Sequence, residues 1–556
     1  MPAGVPLKAL SVLAALAFAA ALPELVLRAR RGPPPSEELW SDEARYMREE
    51  TAKPFFALKT VDGVPTWVAD RARSTAPPFP RDKPPGETRV FVVGESVAQR
   101  LSARLLERHI GDDEFLSGVR VVNCGMGAYD SVLAADVADE IVRDGADLVV
   151  VLVGNNNGSG PEGGYAAYRV NRFLRRLWTW RAAQDWLARR VRRPPSSRER
   201  MARFERGLRR ILSAARAARV QAVVATLPVN ERGDPSPGEL PLQRPKFLAA
   251  WIALERGRAR EAAASFRAEL SERPDDAMTH YELARSLDAS GDGAAAAAEY
   301  DAAVEAYDLD RCAPSRNALI RRVAAEEGAA VADLDALFRA RAPRGVPGWE
   351  SFVDGVHWRS ELDAAVAETI ARAAARGAAP ASADDVAAAA RLAKGVPARW
   401  SPEDARSAAM RAISDAVQVG AEYDPPVLWE RDVAEFMQAD AADPAGLRAW
   451  LDDPGRVEAA FDANEWTRFL KGKVRPSWAI VLAHAGEALA RRGKTARALE
   501  LLERGSRLER ESALARFLLG KVLLEAGRRE EAERAWDGLP ADARERALVG
   551  FYRGAR

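Results

Sequence analysis

The chain has 556 residues, too many for one ordinary hydrophobic core, so two to four domains are expected. With 47% hydrophobic and 29% charged residues it reads as globular rather than disordered, and a formal net charge of +1 gives no reason to expect nucleic acid or an acidic partner. Two cysteines, Cys124 and Cys312, exclude a disulfide framework; they form one bridge or, the expected case, two buried thiols.

At the N-terminus Lys8 precedes an apolar run from Ala9 to Pro23; Glu24 interrupts it before Leu25, Val26 and Leu27, and Arg28, Arg30 and Arg31 follow. A bilayer span needs about 17–25 apolar residues, which this run reaches only by including Glu24. Ala19-Ala20-Ala21 supplies a small-residue cleavage site. Residues 1–31 are therefore read as a signal anchor or a signal peptide, the uncleaved anchor being preferred; an amphipathic or buried helix is the third reading. The trailing arginines favour a cytoplasmic C-terminal side, whereas the cleavage site favours an extracytoplasmic one. Residues 32–87, rich in proline and polar residues, read as a linker and an irregular, partly ordered lead-in.

Strands and helices then alternate. Arg89–Val93 is a short β-branched run ended by Gly94, and Val97–Ile110 has helical spacing. Val119–Asn123, Ala146–Val153 and Gln221–Leu227 are further strands, with helices predicted over Ser131–Asp144 and Arg200–Ala217. This alternation argues for a parallel sheet covered on both faces. The basic stretch from Arg172 to Arg193, with Trp178, Trp180 and Trp186, is expected to be an amphipathic surface helix; facing lipid or capping a site are the other readings.

The pattern breaks over 241–310, which is helical and repeats. Gly257 and Gly291, Ala262 and Ala296, and Phe266 and Tyr300 are each 34 residues apart, the tetratricopeptide period. Helix and strand resume from Arg311, with a last strand over Ala329–Leu334. The repeat is thus an insertion that splits the α/β unit into 88–240 and 311–377. Residues 378–476 read as a helical adaptor. In 477–556 the 34-residue spacing returns at Gly486/Gly520, Gly493/Gly527 and Ala498/Ala532.

Two blocks carry the chemistry. Gly94-Glu95-Ser96 places a serine between a buried strand and a helix, at the sheet's carboxyl edge, where open α/β folds bind ligands. A serine there also serves as a plain helix cap. Phe352-Val353-Asp354-Gly355-Val356-His357-Trp358 puts an acid three residues before a histidine in one turn, so that the carboxylate can fix the imidazole and leave its other nitrogen to take the serine proton. Of the other histidines, His109 lies at a helix end and His280 and His484 inside the repeats, where packing explains them. Asn123–Ser131 and Gly154–Gly158 are small-residue or amide-rich loops after strands; each offers oxyanion donors or is simply a turn.

In order, GES at 94–96, NCGMGAYDS at 123–131, GNNN at 154–157 and DGVH at 354–357 resemble the four blocks of the SGNH (GDSL-like) hydrolase superfamily, in particular a bacterial subgroup with inserted tetratricopeptide repeats. The resemblance covers roughly residues 88–240 and 306–377. It implies a three-layer flavodoxin-like α/β sandwich beside the all-α repeats, with no cofactor and no metal. It makes Ser96 the nucleophile and first oxyanion donor, His357 and Asp354 its partners, and Ala128 and Asn156 the further oxyanion donors. Gly127, Asn155 and Asn230 are expected to line the cleft, a turn role being equally open for Asn230.

Three departures stand out. Glu95 replaces the usual Asp and is expected to be harmless; Ala128 stands where the family has glycine; Asn157 replaces an acidic residue. The implied function is a serine esterase or deacylase acting through an acyl-enzyme, on O-acyl groups of envelope glycans or other small esters, in a membrane-anchored extracytoplasmic protein. An O-acyltransferase of polysaccharide modification uses the same residues. From a different class, a repeat scaffold that binds a protein partner, with an inert hydrolase fold, is the alternative.

Overall fold

The computed structural model describes residues 22–32, 54–71, 73–111, 118–156, 174, 176–191, 196–234, 244–379, 383–396, 400–401, 404–406, 409–410, 413, 429–453, 455–456, 459, 477–541, 543 and 545–554. Residues 1–21, most of the expected anchor, and Asn157 lie outside them; residues 22–31 are helical. Among the described residues no helix is long and apolar enough to cross a membrane.

The lead-in is more ordered than its prolines suggest. β1 (Phe56–Val61), β2 (Val64–Ala69) and β3 (Phe79–Pro80) form an antiparallel sheet. Asp62 and Gly63, with φ of 49° and 80°, make the two-residue turn that joins the first pair. Phe56 and Phe79 are buried and stack edge-on at 5.0 Å, and Phe79 meets Phe91 of the main sheet at 5.5 Å. Their burial fixes this small sheet on the main one and corrects the reading of this stretch as irregular.

The main sheet contains β4 (Thr88–Gly94), β5 (Val119–Asn123), β6 (Leu148–Leu152), β7 (Gln221–Thr226) and β8 (Ala330–Asp333). All are parallel, in the spatial order β5-β4-β6-β7-β8, so the order reverses between β4 and β6. β6 is buried at every position, as a strand covered on both faces must be. Helices follow as α1 (Ser96–Arg100), α2 (Ala103–Gly111), α3 (Ser131–Ile141), α4 (Trp178–Val191) and α5 (Ser197–Ala217). The inserted helices are α6 (Pro245–Glu255), α7 (Ala259–Glu272), α8 (Ala277–Ser290) and α9 (Gly293–Ala306); α10 (Pro314–Glu327), α11 (Leu334–Arg341) and α12 (Asp363–Arg376) return to the sheet. One layer is α3, α5 and α10, packed on β4 and β7; the other is α2 and α12, packed on β5, β7 and β8.

The single helix predicted over Val97–Ile110 is two. The side-chain amide of buried Asn123 donates to the carbonyls of Ala98 (2.8 Å) and Leu101 (3.0 Å), and Leu101 turns extended. A side chain that satisfies the last carbonyls of a helix lets it end there.

The remaining helices are α13 (Ala383–Lys394), α14 (Trp429–Ala442), α15 (Pro444–Asp452), α16 (Trp478–Arg491), α17 (Thr495–Leu508), α18 (Ala513–Glu525), α19 (Arg529–Asp537) and α20 (Glu545–Gly554). The expected adaptor is divided between the two bodies: α13 packs on α11 and α12, while α14 packs on α16. Gly257, Gly291, Gly493 and Gly527 all have φ between 71° and 91° and make the turns between paired helices.

The two repeat regions, distant in sequence, share one hydrophobic core. α20 packs on α6, and Arg256 lies 5.7 Å from the Tyr552 ring. A largely buried chain of charges crosses the junction: Arg285 pairs with Glu255 at 3.1 Å, Arg491 reaches the same Glu255 at 3.8 Å, and Arg491 and Lys521 pair with Glu487 at 3.0 and 2.6 Å. Burial opposes the Lys521 charge, but Glu487 overrides it and raises its pKa. Removing one partner of such a pair strands the other. Glu487→Leu is expected to cost about 3–5 kcal/mol in urea unfolding, and Lys521→Leu less, because Arg491 still faces Glu487. Amide exchange should quicken in 245–306 as well as in 478–554.

Candidate active site

Ser96 opens α1 directly after β4, and Asn155 and Asn156 follow β6, so these groups flank the point where strand order reverses. The turn is tight. A Cβ on Gly94 would lie 2.0 Å from the Leu152 carbonyl oxygen, so only glycine lets β4 pass β6 this closely. Likewise a Cβ on Gly125 would lie 2.2 Å from the Gln99 nitrogen, which seats the 123–131 loop against α1.

The Asp354 carboxylate is held by its own turn. One oxygen accepts from the backbone amides of Val356 (3.0 Å) and His357 (2.6 Å); the other faces His357 Nδ1 at 2.8 Å. An antiparallel bridge between Phe352 and Trp358 closes the turn, with Val353 N donating to His357 O. The geometry gives the imidazole the orientation an acid–base dyad needs: Nδ1 bonded to carboxylate, Nε2 left over. His357 Nε2 is buried and has no hydrogen-bond partner among the described residues. An unpartnered buried nitrogen in a well-packed turn calls for a function.

His357 lines one small cavity, and Val97, the residue after Ser96, lines it too. Arg100, Trp358, Ser360 and Asp363 complete its wall. Its volume is about 20 Å³, room for a water molecule and not for an acyl chain. Ser96 Oγ and His357 Nε2 are not hydrogen-bonded to one another, and Ser96 Oγ has no partner among the described residues. Behind the cavity Trp358 Nε1 donates to Asp363 at 2.8 Å. Burial pushes the Asp363 carboxyl up to about 6 against that bond.

Of the expected oxyanion donors, Asn156 directs its side-chain amide to the Tyr129 carbonyl at 3.0 Å, which uses one of its two N–H groups. This bond ties the 154–156 loop to the 123–131 loop. Asn155, expected to line the cleft, turns inward: it is 2% exposed and its side-chain oxygen accepts from Cys312 N at 3.0 Å. Cys312 and Cys124 are free and buried. Gly127 donates its amide to the Gln99 side chain at 2.9 Å.

Two positioning residues were undervalued by sequence reasoning. Glu95 is fully buried, and its two oxygens accept from the amides of Asn155 and Asn156, each at 2.7 Å. It sets the loop that carries Asn156. Burial pushes its carboxyl up to about 7, opposed by those two amides and by Arg316. Asn230 is also fully buried: its backbone amide donates to Gly355 O (2.9 Å), its side chain to Asp354 O (3.0 Å), and its side-chain oxygen accepts from Gly233 N (2.9 Å). It grips the backbone of the Asp354 turn rather than lining a cleft. Strand-end position was the available signal for Asn230; for Glu95, its place beside the serine.

Residues 489–550 match the tetratricopeptide repeat family. This is the C-terminal part of the array, and it bears out the 34-residue spacing there. No curated protein matches the chain. Among solved structures, the crystal structure of yeast Tom70 aligns at 14% identity over 70% of this chain and 80% of that chain, with a TM-score of 0.13, so the two do not superpose and no property is carried over.

Ala128 adopts φ of 64°, a conformation that penalises a Cβ. Ala128→Gly should relieve about 1–2 kcal/mol and return about 0.4–1 kcal/mol through the unfolded chain. A small net gain in the denaturation midpoint is expected. Glu95→Gln places an NH₂ against a buried backbone amide; a loss of about 1–3 kcal/mol is expected in the same measurement.

Proposed function

We propose that this chain joins a tetratricopeptide scaffold to a serine acyl hydrolase of the SGNH type. The observation that carries the enzymatic reading is the Asp354–His357 pair at 2.8 Å with its distal nitrogen buried and unpartnered. The order of the sheet, with Ser96 and Asn156 at its reversal point, supports the same reading.

In this reading Ser96 Oγ attacks the acyl carbon as its proton passes to His357 Nε2, and Asp354 stabilises the imidazolium. The Ser96 and Ala128 amides and the free N–H of Asn156 receive the oxyanion. His357 then returns the proton to the leaving alcohol. Water, activated by the same imidazole, releases the acid and regenerates the serine. If a sugar hydroxyl replaces water the product is a transferred acyl group, and the same side chains serve. O-acyl groups of glycans and small esters are the substrate class. Because apo catalytic hydrogen bonds are often long, the unformed Ser96–His357 bond is compatible with this chemistry.

The repeat family match favours a second reading, in which the chain works as a scaffold and its α/β unit is inert. A fluorophosphonate probe separates the two. Covalent labelling at Ser96, lost in Ser96→Ala and reduced at least about a hundredfold in His357→Ala, is the expected result. Ester hydrolysis that persists at full rate in Ser96→Ala, or absence of labelling in the folded wild-type chain, would leave the scaffold reading standing.

A further inference from the structure

The helix of residues 22–31 is amphipathic in the wrong sense for water. An ordinary surface helix buries its apolar stripe and exposes its charges. Here Glu24 is the buried residue, at 7% exposure, while Leu22, Leu25 and Val26 are 52%, 62% and 46% exposed. Positions 22, 25 and 26 share one face of a helix.

Polar contacts with α4 hold the inverted face outward. Glu24 accepts from Thr179 N at 2.9 Å and from the Thr179 hydroxyl at 3.1 Å, and Arg28 Nε donates to Glu24 at 2.8 Å. Arg28 also donates to the Arg176 carbonyl at 2.8 Å, and Trp178 Nε1 to the Gly32 carbonyl at 2.9 Å. Arg31 lies 5.6 Å from the Trp178 ring. The helix is thus fastened by its polar side to α4 and the residues just before it. On α4 itself Trp186 is 56% exposed, and Ala182 and Ala183, on the same face as Trp186, are exposed too.

Arg28, Arg30, Arg31 and Arg176 are exposed beside these apolar groups. Apolar side chains outward and guanidinium groups one to two turns behind them match a medium whose interior is hydrocarbon and whose surface is anionic. In sequence, the apolar run from Ala9 to Pro23 runs up to the start of this helix.

We infer that the 22–31 helix, braced on α4, is a lipid-facing platform that seats the chain on an anionic membrane surface. Leu22, Leu25 and Val26 enter the acyl boundary, with Trp186 at the headgroup level and the arginines on phosphates. The platform is separate from the proposed catalytic groups and does not depend on their activity.

The test is flotation of the full chain with vesicles of phosphatidylcholine alone or mixed with phosphatidylglycerol. Leu25→Glu/Val26→Glu leaves residues 1–21 intact and changes two exposed positions. It should reduce binding to the mixed vesicles about tenfold or more, with unchanged thermal unfolding. Arg30→Glu/Arg31→Glu should abolish the preference for phosphatidylglycerol. Wild-type binding that survives Leu25→Glu/Val26→Glu would overturn the platform and assign attachment to residues 1–21 alone. A wild-type dimer that this variant converts to monomer, with vesicle binding unaltered, would overturn it in favour of a second copy covering the face. Hydrolysis of a soluble ester, measured in parallel, should not change, so failure of the platform and failure of the catalytic reading give different results.

Discussion

The loop after β7, residues 229–234, holds the parts of this molecule to one another. Asn230 binds the backbone of the Asp354 turn on one side, through Asp354 O and Gly355 O. On the other side the Tyr281 hydroxyl of α8 donates to the Arg232 carbonyl at 3.2 Å, and Arg339 bridges Glu231 (2.6 Å) to Asp301 of α9 (2.7 Å). Asp234, where the chain leaves for the insertion, pairs with Arg311, where it comes back, at 3.0 Å. Both ends of the insertion are therefore closed by a buried ion pair anchored in the same loop that holds the Asp354 turn. A largely buried polar network of this kind restricts the arrangements open to it, because each lost partner strands another polar group. The geometry of the dyad is consequently a property of the folded insertion as much as of the sheet.

The electrostatics of this region follow from burial. Glu231 is pushed up to about 8, mainly by desolvation, with Arg339 opposing and Asp301 and Asp335 reinforcing. At neutral pH it keeps its proton, so three carboxyl groups can surround one guanidinium without three full charges. Glu95, beside the serine, is pushed up to about 7 by the same cause, burial. Both groups bind protons more tightly in the folded chain than in the unfolded one. Their contribution to stability is thus complete below the unfolded carboxylate range and is lost as pH rises through about 7 to 8. Glu95 differs in one respect: its oxygens are met by two amide donors and Glu231's by an arginine, so ionisation of Glu95 draws on fixed dipoles.

What could be read from the sequence was what lies close along the chain. Asp354 and His357 are three residues apart, and the strand–Gly–Glu–Ser turn is contiguous; both needed only local geometry. The 34-residue glycine spacing exposed the repeats for the same reason. The Asp62-Gly63 hairpin was equally local, but the prolines around it masked the signal. The contacts that escaped are long-range: Glu95 reaches amides 60 and 61 residues away, and Asn230 meets a carbonyl 124 residues away. No spacing rule reports such pairs, since any buried acid or amide needs partners but nothing local names them. The junction of α6 with α20 escaped for a different reason. Every repeat helix carries a similar apolar stripe, so the sequence does not distinguish which stripes meet.

The place of the insertion bears on how the repeats and the candidate site are joined. It lies between β7 and β8, at the carboxyl edge of the sheet, where loops and not sheet faces form binding sites. A repeat array needed only for display could follow the α/β unit as an appendage, as the C-terminal helices do in sequence. Instead α16 to α20 fold back and complete a core that begins at α6. The array is then continuous from the C-terminal helices to the loop that carries Asn230. A partner that alters the packing of α8 or α9 acts on groups directly bonded to that loop, through the Tyr281 hydroxyl and Asp301. The repeats and the Asp354 turn are thus joined by named side chains, Tyr281 and Arg339 on one side of the loop and Asn230 on the other.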